Sequence, residues 1–106
     1  MSHYMLMFVG GEERRNVATP PSEAVRTWWN GNHDVIKGGA RLDAGKNAMT
    51  IKRVNGEMKV SDGPFAETKE TVGGYCLVDV PDLDAAIKLA KSWPGGDVEV
   101  RPTVER

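Results

Sequence analysis

The chain has 106 residues, of which 40% are hydrophobic and 27% are charged, and this composition is typical of one globular domain. Its formal net charge of −1 excludes the broad basic surface that binds nucleic acid or an anionic membrane. Cys76 is the single cysteine, so an intramolecular disulfide is excluded as well.

The first predicted element is a strand at residues 4–9, an unbroken apolar run that ends at Gly10-Gly11. Residues 12–19 are polar and predict a loop. A helix is expected to follow, with Thr19 or Ser22 as its N-cap and prolines in its first turn.

This first helix is expected to run as far as Gly38-Gly39, since glycine is the common residue at a helix C-terminus. Its apolar face is marked by residues at helical spacing, namely Val25, Trp28, Trp29, Asn32 and Ile36. Gly31 lies inside the helix and costs roughly 1 kcal/mol relative to alanine, which favours a kink or a close packing contact there.

The middle of the chain predicts strands and a tight turn. Residues 40–44 are expected to begin a second strand. Residues 48–54 and 57–60 then form two strands around Asn55-Gly56, which is the strongest short signal for a β-hairpin.

The last third of the chain predicts a strand, a helix and a strand. Residues 72–80 form the first strand, with Gly73-Gly74 as a bulge near its start. Pro81-Asp82 opens the helix, whose apolar positions are Leu83, Ala86, Ile87 and Ala90. Residues 98–104 alternate and form a strand at the edge of the sheet, because Pro102 cannot donate a ladder hydrogen bond.

The order of these elements predicts an α+β fold, a ferredoxin-like sandwich (βαββαβ with an extra hairpin) that comprises residues 1–106 as one domain. It has a four-stranded antiparallel sheet with two helices on one face. The other face is expected to carry apolar residues of the first strand together with Tyr75, Leu77 and Val100 or their neighbours. Because an exposed apolar patch of this kind usually marks an interface, we expect a homodimer through the open sheet face.

The most informative motif is the run Asp62-Gly63-Pro64-Phe65-Ala66-Glu67-Thr68-Lys69-Glu70. Its first four residues are typical of a turn, in which Asp62 caps the backbone and Phe65 is either a core plug or a ring that stacks on a substrate. Glu67, Lys69 and Glu70 form either a solvated face or a cleft with a carboxylate base. In an extended segment Glu67 and Lys69 point the same way.

With this motif the chain resembles the DGPF branch of the YCII-related proteins over nearly its whole length. The resemblance rests on Gly10-Gly11, residues 39–45, the run 62–70, Gly73-Gly74-Tyr75, the Asp82 helix and Glu99-Val100-Arg101-Pro102. It implies a dimeric α/β-barrel made of two ferredoxin-like subunits. The wider family is similar to small lyase-like or dehalogenating enzymes, and the DGPF branch is similar to proteins that accompany extracytoplasmic-function sigma factors, so the resemblance implies regulation as much as catalysis.

The wider family carries an acid–base pair, a histidine in the first helix and an aspartate near the end of the second. The position of that histidine falls near Thr27, and Trp93 stands about where the aspartate is expected. Neither residue is transferred to this chain by the resemblance, and His33 is the histidine that a helix could direct at a cleft.

The residues therefore predict a small-molecule-binding dimer with a charged cleft between the sheet and the first helix. The protein is then either a binding protein or a lyase-like or isomerase-like enzyme that uses carboxylate acid–base chemistry. The alternatives are a non-catalytic regulatory partner and a purely structural role for the motif. The predicted catalytic residues are Glu67, Asp62 and His33, and the predicted residues for binding a small organic acid are Lys69, Arg101, Phe65, Glu70 and Trp29.

The expected location is the cytoplasm. The N-terminus lacks the apolar stretch and cleavage site of a signal peptide, and no run approaches the roughly 20 apolar residues of a membrane span. No cofactor and no metal are expected, since the glycine pairs lack the spacing of a nucleotide-binding loop and the two histidines lack that of a metal site. Cys76, within an apolar run, is expected to be structural.

Overall fold

The computed structural model describes residues 2–10, 21–43, 47–63 and 71–104, which form six strands and two helices. In chain order these are β1 (Ser2–Gly10), α1 (Glu23–Gly31), β2 (Ile36–Arg41), β3 (Met49–Val54), β4 (Glu57–Asp62), β5 (Thr71–Val80), α2 (Leu83–Lys91) and β6 (Asp97–Pro102). Neither of the two helices in these ranges is long and apolar enough to cross a membrane.

Four strands form one antiparallel sheet in the order β2-β5-β1-β6, and β3 pairs with β4 in a separate two-stranded sheet. A central β1 beside β5, with one helix after each of these strands, is compatible with the ferredoxin-like sandwich. The α+β class, the four-stranded sheet and the edge position of β6 are therefore confirmed.

Both helices pack on one face of the sheet. Alternate side chains of β1 and β5 form its core with Trp28 of α1 and Ala86 of α2, and the buried strand residues are Tyr4, Leu6, Phe8, Cys76, Val78 and Val80. Of Val100 and its neighbours, Val100 is not the residue that faces away from the helices. Val100 pairs with Leu6 in the ladder and packs against the core, so its neighbours Glu99 and Arg101 lie on the opposite face.

Aromatic rings fill the space between the helices and the sheet. The Phe8 ring stacks on Trp93 with centroids 4.0 Å apart and meets Trp28 edge-on at 5.8 Å. Trp28 also contacts Trp93 edge-on at 5.0 Å, and its Nε1 donates a hydrogen bond of 2.9 Å to Oγ of Ser92. Through Trp28, this cluster connects α1 to Ser92 and Trp93 at the C-terminal end of α2.

Helix α1 begins as predicted, with Oγ of Ser22 accepting a hydrogen bond of 3.2 Å from the backbone N–H of Val25. It does not extend to Gly38-Gly39. Asn32 ends it through backbone and side-chain hydrogen bonds to the last carbonyl groups, including that of Trp28. Ile36 then lies in β2, where it pairs with Val78 of β5. The second strand therefore starts four residues before the predicted residue 40.

The predicted hairpin is confirmed by β3 and β4. Asn55 and Gly56 at its turn have φ values of 51° and 83°, which are the positive values that a type I′ turn requires. The ladder register places four apolar side chains, Met49, Ile51, Met58 and Val60, on one side of the ribbon, with Arg53 and Asp62 at the two ends of the same side. We call this side the hairpin face.

The predicted bulge lies at Gly73 of β5. Phe8 of β1 pairs with Gly74 and Val9 pairs with Val72, so Gly73 is left over on the longer strand. Its carbonyl group instead accepts a hydrogen bond of 2.9 Å from the backbone N–H of Leu42. The extra residue brings Val72 to the same face of the sheet as Val9.

Candidate functional site

The sheet surface opposite the helices, which we call the open face, combines apolar and charged side chains. At its centre Met5 pairs with Leu77 and Met7 pairs with Tyr75 across β1 and β5. These four partly exposed residues form what we call the apolar strip. Its polar neighbours on the same face are His3, Asp79, Glu99 and Arg101.

A histidine and an aspartate lie together at one end of the strip. His3 is opposite Asp79 in the ladder, and its Nε2 is 3.8 Å from Oδ2 of the carboxylate. The Asp79 side chain is only 23% exposed, and its Oδ1 has no hydrogen-bond partner among the residues that the structure describes. Because buried polar atoms are normally hydrogen-bonded, this oxygen is available to a donor from a ligand or a partner chain.

An arginine borders the same end from the other side. Arg101 of β6 is opposite Met5, which makes it a diagonal neighbour of His3, and such neighbours are about 7–8 Å apart in a sheet. Its guanidinium forms an exposed ion pair with Glu99. Asp79, His3 and Arg101 thus form a row across β5, β1 and β6, which we call the charged row.

The charged row has the groups that organic-acid chemistry needs. A guanidinium binds a carboxylate through two parallel hydrogen bonds, and an imidazole is a common general acid–base group. The adjoining strip offers an apolar surface to the carbon skeleton of the same molecule. The arrangement can therefore hold a small acid and move a proton on it.

The structure places the predicted site residues in different parts of the molecule. Arg101 lies on the open face. His33 lies in the exposed turn after α1, with its Nδ1 2.9 Å from the carbonyl oxygen of Asn30, and Asp62 is the exposed last residue of β4. The predicted residues of the motif, Phe65, Glu67, Lys69 and Glu70, lie outside the described ranges.

Trp29 packs on the helix side of the sheet, where its ring meets Phe8 edge-on at a centroid distance of 6.0 Å. Arg101 lies on the other side of the same sheet. The predicted cleft between the sheet and the first helix therefore does not bring these two residues together within one subunit, because the sheet itself separates them.

His3 and Asp79 are site residues that the sequence interpretation missed. A charged Asp79 between Val78 and Val80 was the available signal, because alternation in an apolar strand sets such a residue on the less buried face. His3 gave a weaker signal near the chain terminus. Its position opposite Asp79 depends on the register of two strands that are distant in sequence.

A second apolar surface is a shallow groove between α2 and β6. It is lined by Ile87, Ala90, Lys91, Trp93, Gly96, Val98 and Val100. Among the described residues that line it, Lys91 is the one titratable side chain, so they lack the pair of proton-transfer groups that the open face has.

The buried thiol of Cys76 is not part of either surface. Burial disfavours its thiolate form and raises its pKa from 9.0 to about 12. We expect native protein at pH 8 to react with an alkylating reagent at least tenfold more slowly than denatured protein, which mass spectrometry would follow with time. Equal rates in the two states would contradict the buried position of this side chain.

The raised pKa of Cys76 also makes the stability of the fold depend on pH. The folded state favours the neutral thiol, so its contribution to stability is complete below pH 9 and is lost as the pH rises toward 12.

The chain is similar to a known protein and to a known family of domains. It is 43% identical over 68 residues to an uncharacterized protein of Rhizobium meliloti (strain 1021). The match covers 59% of this chain and 55% of the relative, so it spans little more than half of that protein. Residues 11–104 match the YCII-related domain, and the chain therefore belongs to the YCII-related family.

Proposed function

We propose that the protein is a homodimeric binding protein for small organic acids, with its site on the open face of the sheet. One observation carries this proposal, namely the charged row at the end of the apolar strip. Arg101 supplies the positive charge that selects an acid, and the strip supplies the hydrophobic contact that holds its carbon skeleton.

The same row supports chemistry of the lyase or isomerase type. His3 would take a proton from a carbon or oxygen of the bound acid, or return one to it, and Asp79 would stabilise the imidazolium that forms. The exposed ion pair with Glu99 contributes little to stability, so a ligand carboxylate can replace Glu99 on Arg101 at low cost.

A dimer suits this site because it would cover the strip. Met5, Met7, Tyr75 and Leu77 form a contiguous patch, which in water is typical of a surface that a second chain occupies. Twofold symmetry would give each protomer one covered site.

A thermal-shift screen of small mono- and dicarboxylic acids tests the proposal. A ligand at 100 times its Kd stabilises a protein by about 2.7 kcal/mol, which raises the Tm of a domain of this size by roughly 10 °C or more. We expect at least one acid to produce such a shift in the wild type and to lose it in Arg101→Ala. Arg26→Ala on α1 is the matched control and should keep the full shift.

His3→Gln separates binding from proton transfer. It should keep most of the thermal shift, because Arg101 still holds the acid. The wild type is expected to exchange solvent deuterium into the bound acid, whereas His3→Gln is expected to show no measurable exchange. If no acid raises the Tm of the wild type by more than it raises the Tm of Arg101→Ala, the proposed site is wrong.

The regulatory alternative implied by the family resemblance, a complex with an extracytoplasmic-function sigma factor, stays a prediction. Co-purification of such a factor with the tagged protein would support it.

A further inference from the structure

The hairpin face is the most exposed apolar surface in the described part of the chain that is built on paired strands. Met49, Ile51, Met58 and Val60 are 59%, 55%, 52% and 61% exposed. The other side of the ribbon is mainly polar, with Lys52 and Lys59 paired across it. Single exposed apolar residues are common, but four on one side of one ribbon indicate a binding surface.

The ribbon also extends away from the core. β3 and β4 form a sheet of their own rather than joining the four-stranded sheet. The hairpin is therefore an arm whose apolar side faces solvent in an isolated subunit.

The apolar strip and the hairpin face have matching forms. Each is two antiparallel strands wide, with paired apolar residues directly across the ladder: Met5 with Leu77 in the strip, and Ile51 with Val60 on the hairpin. Two such surfaces can pack face to face at the usual distance of about 10 Å between sheets.

We propose that the hairpin face of one protomer packs on the apolar strip of a second copy of this chain. This inference rests on the proposed dimer and names the element that covers the site. The ligand site of each protomer is then composite, with the charged row from one chain and a wall of hairpin side chains from its partner.

The area available fits a stable dimer. Four side chains of this size that are more than half exposed present on the order of 400 Å² of apolar surface. The four strip residues are only partly exposed and contribute less, so a twofold dimer with two such contacts buries on the order of 1,200 Å², which is the lower end of the range for specific protein complexes.

Light scattering on matched variants tests the arm. Val60 lies on the hairpin face and Val54 on its other side, so Val60→Lys and Val54→Lys make the same chemical change on opposite surfaces. We expect the wild type and Val54→Lys to have twice the monomer mass of 11.6 kDa, and Val60→Lys to fall toward that mass. A dimer that persists in Val60→Lys at micromolar concentration would overturn the proposal that the hairpin face forms the dimer contact.

Disulfide trapping locates the contact even if a lysine disturbs the ribbon. Tagged Met58→Cys is mixed with untagged Leu77→Cys and oxidised, while the native Cys76 stays buried. We expect a covalent dimer that contains both chains, and much less of it when Val54→Cys replaces Met58→Cys. A Met58→Cys chain that links only to itself would show that the hairpins pack on each other and would overturn the proposed contact.

The outcomes separate this inference from the proposed function. A monomeric wild type that still binds an acid through Arg101 overturns the proposed dimer and the proposed hairpin contact, whereas the proposed ligand site stands. A dimeric wild type without the mixed disulfide overturns only the arm. A monomeric Val60→Lys with a weaker thermal shift supports a composite site.

Discussion

Trp28→Ala is expected to lower the free energy of unfolding by about 3–5 kcal/mol, which is a large share of the 5–15 kcal/mol typical of a domain. The side chain is only 6% exposed. Its ring contacts Phe8 and Trp93 edge-on, and its Nε1 donates a hydrogen bond to Ser92. Alanine removes all three interactions and leaves a cavity between the two helices.

Two further variants separate the ring from the hydrogen bond. Trp28→Phe keeps an aromatic ring in the cluster but loses the donor, and Ser92→Ala removes the acceptor. We expect Ser92→Ala to cost about 1 kcal/mol and Trp28→Phe to fall between it and Trp28→Ala. Denaturant unfolding followed by far-UV circular dichroism, at one protein concentration, measures all three, and a loss below 1 kcal/mol in Trp28→Ala would contradict the cluster.

Gly39→Ala is expected to cost about 2–4 kcal/mol, because the backbone at this point leaves no room for a methyl group. Gly39 has a φ value of 153°, and a Cβ there would overlap the carbonyl oxygen of Tyr75 and lie 2.8 Å from Cα of Cys76. Since those atoms belong to the backbone of β5, the pairing of β2 with β5 would have to shift.

The neighbouring glycine supplies the control for this prediction. A Cβ on Gly38 would meet nothing within 4 Å, and its φ value is not in the left-handed region. Gly38→Ala should therefore leave the free energy of unfolding unchanged or raise it by up to about 1 kcal/mol, through a lower entropy of the unfolded chain. Equal losses in the two variants would show that the close approach to β5 is wrong.

Elements with a local cause were predictable from sequence. The hairpin follows from Asn55-Gly56, whose backbone preference suits the turn whatever surrounds it. The second helix follows from its cap at Asp82, whose side chain accepts a hydrogen bond of 2.9 Å from the N–H of Ala85. Pro102 likewise indicates an edge strand without any knowledge of the partner strand.

Elements that depend on tertiary contacts were less predictable. Ile36 has helical spacing from Trp28 and Trp29, but pairing with Val78 places it in a strand. Alternation correctly grouped Val100 apart from Arg101, yet it cannot tell which group faces the helices. That choice is made by packing against the core.

The candidate site shows the same division. Arg101 was predicted from an arginine in an alternating strand, and it lies on the open face. His33 was favoured by its place near the first helix, but that helix ends at Gly31 and leaves it in an exposed turn. The contact of His3 with Asp79 joins residues 76 positions apart in the chain, so it becomes visible only once the strand register is known.

The bulge at Gly73 makes the open face sensitive to chain length. Residues 74–80 alternate in one phase, and Val72 is in the opposite phase because one residue is left out of the ladder. A deletion of Gly73 would remove the extra residue and leave Val72 opposite Val9, whereas a deletion within residues 74–80 would turn the side chains on one side of it to the opposite face. Single-residue deletions within residues 74–80 are therefore expected to be rarer among related chains than loss of Gly73 or exchanges of one side chain for another.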